Sequence, residues 1–205
     1  MTNGIISPSY ENIVKKYNEY ASVFSNIDNL ITHKSDVIIA IEGGSASGKT
    51  TLANILRDAY DCNIFHADDF FLQPEQRTRE RLEEIGGNLD RERFFEEVIE
   101  PLKNKKTVLY RRFDCSKQEI GEAIMISHKR LTVVEGVYSM HPFFGKYYDL
   151  SIFLDIDPEC QKKRILRRNS KELARRFFEE WIPLENAYFS ATEIKKRVDM
   201  TVSIK

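Results

Sequence analysis

The stretch from Val37 to Thr50 constrains this chain more than any other. A short aliphatic run, Val37–Ile41, leads into Gly43-Gly44-Ser45-Ala46-Ser47-Gly48-Lys49-Thr50, and a helical pattern begins near Thr51. Strand, G-x-x-x-x-G-K-[ST] and helix in that order form a cradle for a polyphosphate. Glycines let the backbone curl so that several N–H groups point inward, and the helix N-terminus adds partial positive charge. Residues Gly43, Gly44, Ser45, Ala46, Ser47, Gly48, Lys49, Thr50 and Thr51 are therefore the expected ATP-binding set. Lys49 supplies a point charge to the β- and γ-phosphates, and the Thr50 hydroxyl is a ligand for Mg²⁺. The motif implies ATP and Mg²⁺ as cofactors but does not choose a reaction, because many activities share it.

Downstream, short apolar runs alternate with longer helical patterns. Five buried strands are expected at Val37–Ile41, Asn63–His66, Leu131–Glu135, Leu150–Asp155 and Met200–Ile204. Helices are expected at Thr50–Tyr60, Arg91–Lys103, Pro158–Arg168 and Lys171–Phe189. This alternation predicts an α/β fold of the P-loop NTPase type, three layers α/β/α around a five-stranded, mainly parallel sheet. Ligands of such sheets bind beyond the carboxyl ends of the strands, where the motifs here fall. Before them, Ile13, Tyr17, Tyr20, Phe24, Ile27 and Ile31 recur at steps of three and four, which predicts one amphipathic helix over residues 9–32. It reads as a helix laid against the core, with a homo-oligomer contact as the alternative. The expected organisation is an N-terminal helical extension at 1–35 and a single domain at 36–205, with an arginine-rich lid at roughly 160–180.

Three further features bear on the reaction. His66-Ala67-Asp68-Asp69-Phe70-Phe71 puts carboxylates at a strand's end within reach of the loop. An alcohol attacking a γ-phosphate must lose its proton, so a nearby carboxylate suits a kinase, whereas the same acids could simply cap a turn. Glu135 ends the strand Leu131–Glu135, where an acid can hold a magnesium-bound water opposite Thr50. Arg164, Arg167, Arg168, Arg175 and Arg176 crowd one helical region. Beside a phosphate loop they read as a lid neutralising the transferring phosphoryl group, and elsewhere as a solvated face.

GGSASGKT, ADDFF, Asn88-Leu89-Asp90, VVEG and the arginine-rich segment before Trp181 together resemble the uridine kinase/phosphoribulokinase-like P-loop kinases over roughly residues 36–204. ADDFF followed by Pro74-Glu75 is also similar to nicotinamide riboside kinase. The resemblance implies Asp68 as the base for a ribose 5′-hydroxyl and a contributor near the metal. It implies Asp90 on the ribose hydroxyls, Phe71 against the sugar or base, Glu135 near Mg²⁺, and Arg164, Arg167 and Arg168 as lid arginines. Phe113, Arg112 and Arg176 complete the expected substrate contacts. Two departures stand out: the stretch Tyr110–Lys117 has no histidine to read a pyrimidine, and the lid lacks the family's Arg-Gly element. Arg111 and Arg112 read either as contacts for an anionic acceptor or as a basic strand edge.

The expected function is ATP-dependent phosphoryl transfer to a primary hydroxyl of a ribose-containing small molecule. The alternatives are a kinase of another metabolite (a sugar phosphate, pantothenate or nicotinamide riboside) and a silent nucleotide-binding regulator. No NKxD or LSGGQ string points to a regulatory GTPase or a transporter ATPase. With 31 Lys+Arg against 32 Asp+Glu, the chain is not a nucleic-acid-coating protein. Its longest aliphatic run is too short to cross a bilayer. Three scattered cysteines, Cys62, Cys115 and Cys160, suit a reducing cytoplasm. No spacing of histidines with cysteines suggests zinc.

Overall fold

The computed structural model describes residues 4–205, so the first three residues of the expected N-terminal extension lie outside it. The chain opens with helices α1 (Tyr10–Lys16) and α2 (Ala21–His33), joined by a 3₁₀ turn at Asn18–Tyr20. The single helix expected over 9–32 is therefore two, broken where Tyr17 leaves helical geometry at φ −113° and ψ 50°. The apolar stripe survives the break. Val23, Phe24, Ile27 and Ile31 of α2 are all buried against the sheet.

Strand β1 (Val37–Gly43) is followed by α3 (Lys49–Ala59), β2 (Cys62–His66) and a 3₁₀ turn at Ala67–Asp69. Next come α4 (Arg79–Glu83), α5 (Arg91–Phe94) and α6 (Glu100–Lys103), the last two bridged by a π-helical turn at Phe95–Ile99. Strands β3 (Val108–Tyr110), β4 (Phe113–Asp114), β5 (Glu119–Ile120) and β6 (Ile124–Ile126) form two nested antiparallel pairs, β3 with β6 and β4 with β5. The sequence pattern had not suggested this small arm. Its strands are two or three residues long, too short to show a period.

Strand β7 (Leu131–Glu135) and β8 (Leu150–Ile156) lead into α7 (Pro158–Arg168) and α8 (Lys171–Arg176). A second π-helical turn, Phe177–Trp181, joins α8 to α9 (Ile182–Thr192), and α10 (Ile194–Arg197) precedes β9 (Met200–Ile204). Each π turn ends two residues before a proline, Pro101 and Pro183. A proline ring collides with the carbonyl four residues back and offers no N–H. Widening the preceding turn relieves that collision without ending the helix.

The five expected strands assemble into one sheet of order β2-β7-β1-β8-β9, with every neighbour parallel. β1 lies at the centre, and alternation along it sends Val37, Ile39 and Ile41 to the layer of α1, α2 and α3, and Ile38 and Ala40 to the opposite layer. The fold is thus the three-layer α/β/α arrangement with a central parallel sheet. Parallel pairing aligns all carboxyl ends, so the β1 loop, the β2 turn and the end of β7 share one rim.

Candidate functional site

Where β1 ends, residues 43–48 curl into α3, and Gly48 caps that helix at φ +101°, a backbone region that disfavours any side chain. Lys49 is buried at 7% exposure and donates from Nζ to the Gly44 carbonyl at 3.0 Å. Thr50 Oγ1 donates to Glu135 Oε1 at 2.8 Å, so the ends of β1 and β7 meet as expected. His66 Nδ1 also lies 2.5 Å from that oxygen, and this hydrogen bond with the carboxylate pushes the imidazole pKa up. Ser47 Oγ is buried in the loop with no hydrogen-bond partner, an open donor on the cleft wall.

A cleft of about 1430 Å³ opens over this loop. Ser45 through Thr51 line it together with Asp68, Phe71, Leu72, Asn88 and Tyr138. Asp68 is reachable by solvent from the cleft, yet the surrounding walls strip enough hydration to raise its carboxyl pKa. Lys49 opposes that rise, while Glu135 and Asp69 add to it. A carboxylate with a raised pKa in a cleft beside a lysine is a group suited to accept a proton. Gly136, at φ +143°, packs so closely beneath the β2 turn that a Cβ there would come within 2.7 Å of Ala67 Cβ. The floor under Asp68 is therefore closely packed.

The arginines divide by position. Arg164, Arg167 and Arg168 on α7 and Arg176 on α8 line the cleft. Arg164 Nη1 already donates to the Ala46 carbonyl at 3.1 Å, tying α7 to the loop. Arg168 lies over Phe177 and Arg176 over Trp181, with Arg176 also bonded to Glu180.

Three expected substrate residues are employed elsewhere. Asp90 is 2% exposed and off the cleft wall, because its Oδ1 caps α5 by accepting from Arg93 N at 3.2 Å while Oδ2 lies 3.4 Å from Arg93 Nε. Arg93 in turn covers the Phe70 ring and donates to the Asp69 carbonyl, so Asp90 stiffens the ADDFF turn from behind. Phe113 is buried in the small arm with the Arg77 guanidinium over its ring, and Arg77, not Phe113, reaches the cleft. Arg112 is exposed and pairs with Asp69 at 3.2 Å. Of the two readings for this segment, the ion-paired surface edge describes it. Phe71 is on the cleft wall.

Two carboxylates escaped the sequence reading. Glu42 is fully buried at the end of β1. It accepts from the backbone N–H groups of Gly43, Tyr138 and Met140 and from the Tyr188 hydroxyl. Burial pushes its carboxyl up to about 7. Glu185, on α9, accepts from Ser45 N at 2.8 Å and from the Ser45 hydroxyl. An isolated glutamate within a helix or strand looks like a surface residue in sequence, and only the tertiary placement of these two separates them from the rest.

The residues present suit Mg²⁺ and a polyphosphate: an unpartnered buried hydroxyl in the loop, a lysine at its mouth, and a threonine hydroxyl beside an acid. Among the described residues no helix is long and apolar enough to cross a membrane.

Comparison with known proteins agrees with this geometry. A sequence model of the phosphoribulokinase/uridine kinase family matches residues 38–176. A uridine kinase of Staphylococcus aureus (strain JH9) is 29% identical over 153 residues, covering 69% of this chain and 72% of that protein. Two solved structures share the fold at 20% identity and a TM-score of 0.69. One is described as a possible uridine kinase from Bacillus stearothermophilus, with 91% of this chain and 98% of that one covered. The other is described as a proposed fructose transport system kinase from Silicibacter sp. TM1040, with 89% and 98% covered. With two-thirds of its length matched and the loop, the carboxylate turn and the β7 acid meeting at one rim, this chain belongs to the phosphoribulokinase/uridine kinase family of P-loop kinases.

Proposed function

We propose that the protein transfers the γ-phosphate of ATP to a primary hydroxyl of a nucleoside-like, ribose-containing acceptor. The observation that carries this reading is Asp68. It stands in one cleft between Lys49 of the phosphate loop and a wall of Phe71, Leu72, Asn88 and Tyr138. Such a wall offers apolar faces for a ring and polar groups for hydroxyls.

The loop amides and Lys49 hold the phosphates, and Thr50 with Glu135 forms the expected seat for Mg²⁺, Asp68 standing nearby. When bound, that ion neutralises charge on the phosphate oxygens. The acceptor hydroxyl lies between Asp68 and the γ-phosphate, and Asp68 takes its proton as the new phosphorus–oxygen bond forms. Holding both reactants in line supplies much of the rate. Arg167, Arg168 and Arg176 face the cleft and balance charge on the transferring group, while the wall excludes water as a competing acceptor.

The test is ADP release from Mg-ATP in the presence of uridine, cytidine, nicotinamide riboside, pantothenate or sugar phosphates. The sugar phosphates belong in the panel because Arg77 lines the same cleft as Asp68 and could meet an anionic acceptor. A nucleoside should accelerate release severalfold over the acceptor-free rate. Acceleration by a non-ribose acceptor alone would overturn the substrate class, and none across the panel would overturn the kinase reading.

A further inference from the structure

Glu185 makes a contact that phosphoryl transfer does not require. Its carboxylate is 5% exposed and lies on the cleft wall, in the first turn of α9. Both of its oxygens serve one residue, Ser45, taking the backbone N–H at 2.8 Å and the hydroxyl. An anion bonded to a phosphate-loop amide is held as a phosphate oxygen would be. Glu185 Oε2 also stands where a Cβ on Gly44 would come within 3.4 Å, and Lys49 Nζ is bonded to the carbonyl of that same Gly44. The carboxylate, the catalytic lysine and residues 44–45 thus converge, and the charge of Asp68 reaches Glu185 as well. Burial is the main reason its pKa is raised, so the negative charge is kept there at a cost.

The same stretch of loop is gripped from α7. Gln161 Nε2 donates to the Ser45 carbonyl at 2.8 Å, and Arg164 Nη1 donates to the Ala46 carbonyl at 3.1 Å. The two elements flanking the arginine-bearing helix α8 are therefore both fastened to the loop, α7 at Ser45 and Ala46 and α9 at Ser45. Gln161 and Arg164 contribute donors that a polyphosphate leaves in place. Glu185 alone contributes negative charge, which a terminal phosphate arriving beside Lys49 opposes directly.

We infer that Glu185 is a built-in stand-in for the terminal phosphate: a triphosphate displaces it from Ser45, a diphosphate leaves it seated, and its departure releases α9 from the loop. This makes Glu185 a residue that reports the phosphate count of the bound nucleotide to the lid. The inference rests on the nucleotide-binding part of the proposed function and is independent of the acceptor.

The experiment is calorimetric titration of wild type, Glu185→Gln, Glu185→Ala and Gln161→Ala with Mg-ATP and with Mg-ADP. Thermal melting without nucleotide verifies that each variant folds. Removing the competing charge should tighten Mg-ATP by at least about fivefold, or about 1 kcal/mol, while Mg-ADP moves less than about twofold. Gln161→Ala should leave the ratio of the two affinities where it was. In wild type, amide exchange over residues 177–192 should rise with Mg-ATP and not with Mg-ADP, and in Glu185→Ala it should be high with either.

A structural tether predicts the opposite sign. If both Glu185 variants bind Mg-ATP with unchanged or weaker affinity, or if Gln161→Ala shifts the ratio equally, the inference is overturned. Should Glu185→Gln be too unstable to titrate, the exchange comparison in wild type decides by itself. Equal exchange with the two nucleotides overturns the inference. Tight, Glu185-dependent ATP binding without turnover on any acceptor would sink the kinase reading and leave this one standing, whereas no nucleotide binding by wild type would sink both.

Discussion

Asp68 and Glu42 carry raised pKa values for the same physical reason, loss of water, and do opposite things with them. Asp68 faces the cleft, where proton acceptance is useful. Asp68→Asn keeps the shape and removes the base, so kcat should fall about a hundredfold or more with the Mg-ATP dissociation constant nearly unchanged. Steady-state rates paired with calorimetry check this, and near wild-type turnover would remove Asp68 from the chemistry. Glu42 is sealed in the core, with its carboxyl pushed from 4.5 to about 7. Between those values the folded protein holds a proton that the unfolded chain has released. Stability is therefore greatest below about pH 4.5 as far as this group is concerned, and declines as pH rises through 7. The full loss is of order 3 kcal/mol, from the size of the shift. Urea denaturation at pH 5 and pH 8 should show that decline in wild type and a smaller one in Glu42→Gln. An equal slope in both would place the titration elsewhere. Neither role was legible from a single glutamate or aspartate letter. Asp68 stood out because it follows a strand beside a loop motif, whereas Glu42 is simply the last acid before the glycines.

At the scale of elements, the strands were the most legible part of the chain. β1, β2, β7, β8 and β9 fall within two residues of their expected bounds, the inner strands β1, β7 and β8 because buried parallel strands read as largely apolar runs, and the half-buried edge strands β2 and β9 as shorter apolar patterns. The expected helices at 91–103 and 171–189 are continuous, and the π turns inside them go unsignalled by the pattern. A widened turn shifts side chains by only part of a residue, which the 3.6-residue period tolerates. The prolines two residues beyond were the readable sign. Asp90 shows the converse case. It looked like a ligand contact, yet an aspartate one residue before a helix is also a cap, and Arg93 three residues later closes the ion pair. The turn carrying Asp68 rests on Gly136, so Gly136→Ala must push Ala67 away. We expect it to cost about 1–3 kcal/mol, as overpacking does, and to lower kcat more than it raises the KM for ATP. Denaturation and steady-state kinetics together test this. A stability loss with kcat intact would mean that the turn yields without moving Asp68.

Across the whole molecule, the N-terminal helices belong to the same core as the phosphate loop's supporting layer. Phe24 is 1% exposed and packs with Tyr10 and Tyr60, whose hydroxyls converge on Asp28. Phe24→Ala should cost about 3–5 kcal/mol, read by chemical denaturation, while the KM for ATP stays within about twofold of wild type because Phe24 does not line the cleft. A large change in KM with little loss of stability would show that this layer shapes the site directly. What the order of amino acids settled unaided was local. The loop motif, the buried runs and the amphipathic stripes each follow from the spacing of a few neighbouring side chains and the two backbone periods they match. What awaited the folded chain was every meeting between distant segments: Thr50 with Glu135, Glu42 with Tyr138 and Tyr188, Glu185 with Ser45, and the withdrawal of Asp90 and Phe113 from the cleft. These depend on the stacking order β2-β7-β1-β8-β9. Folding brings together side chains as many as 146 residues apart, and no short-range pattern records which acid will arrive beside which donor.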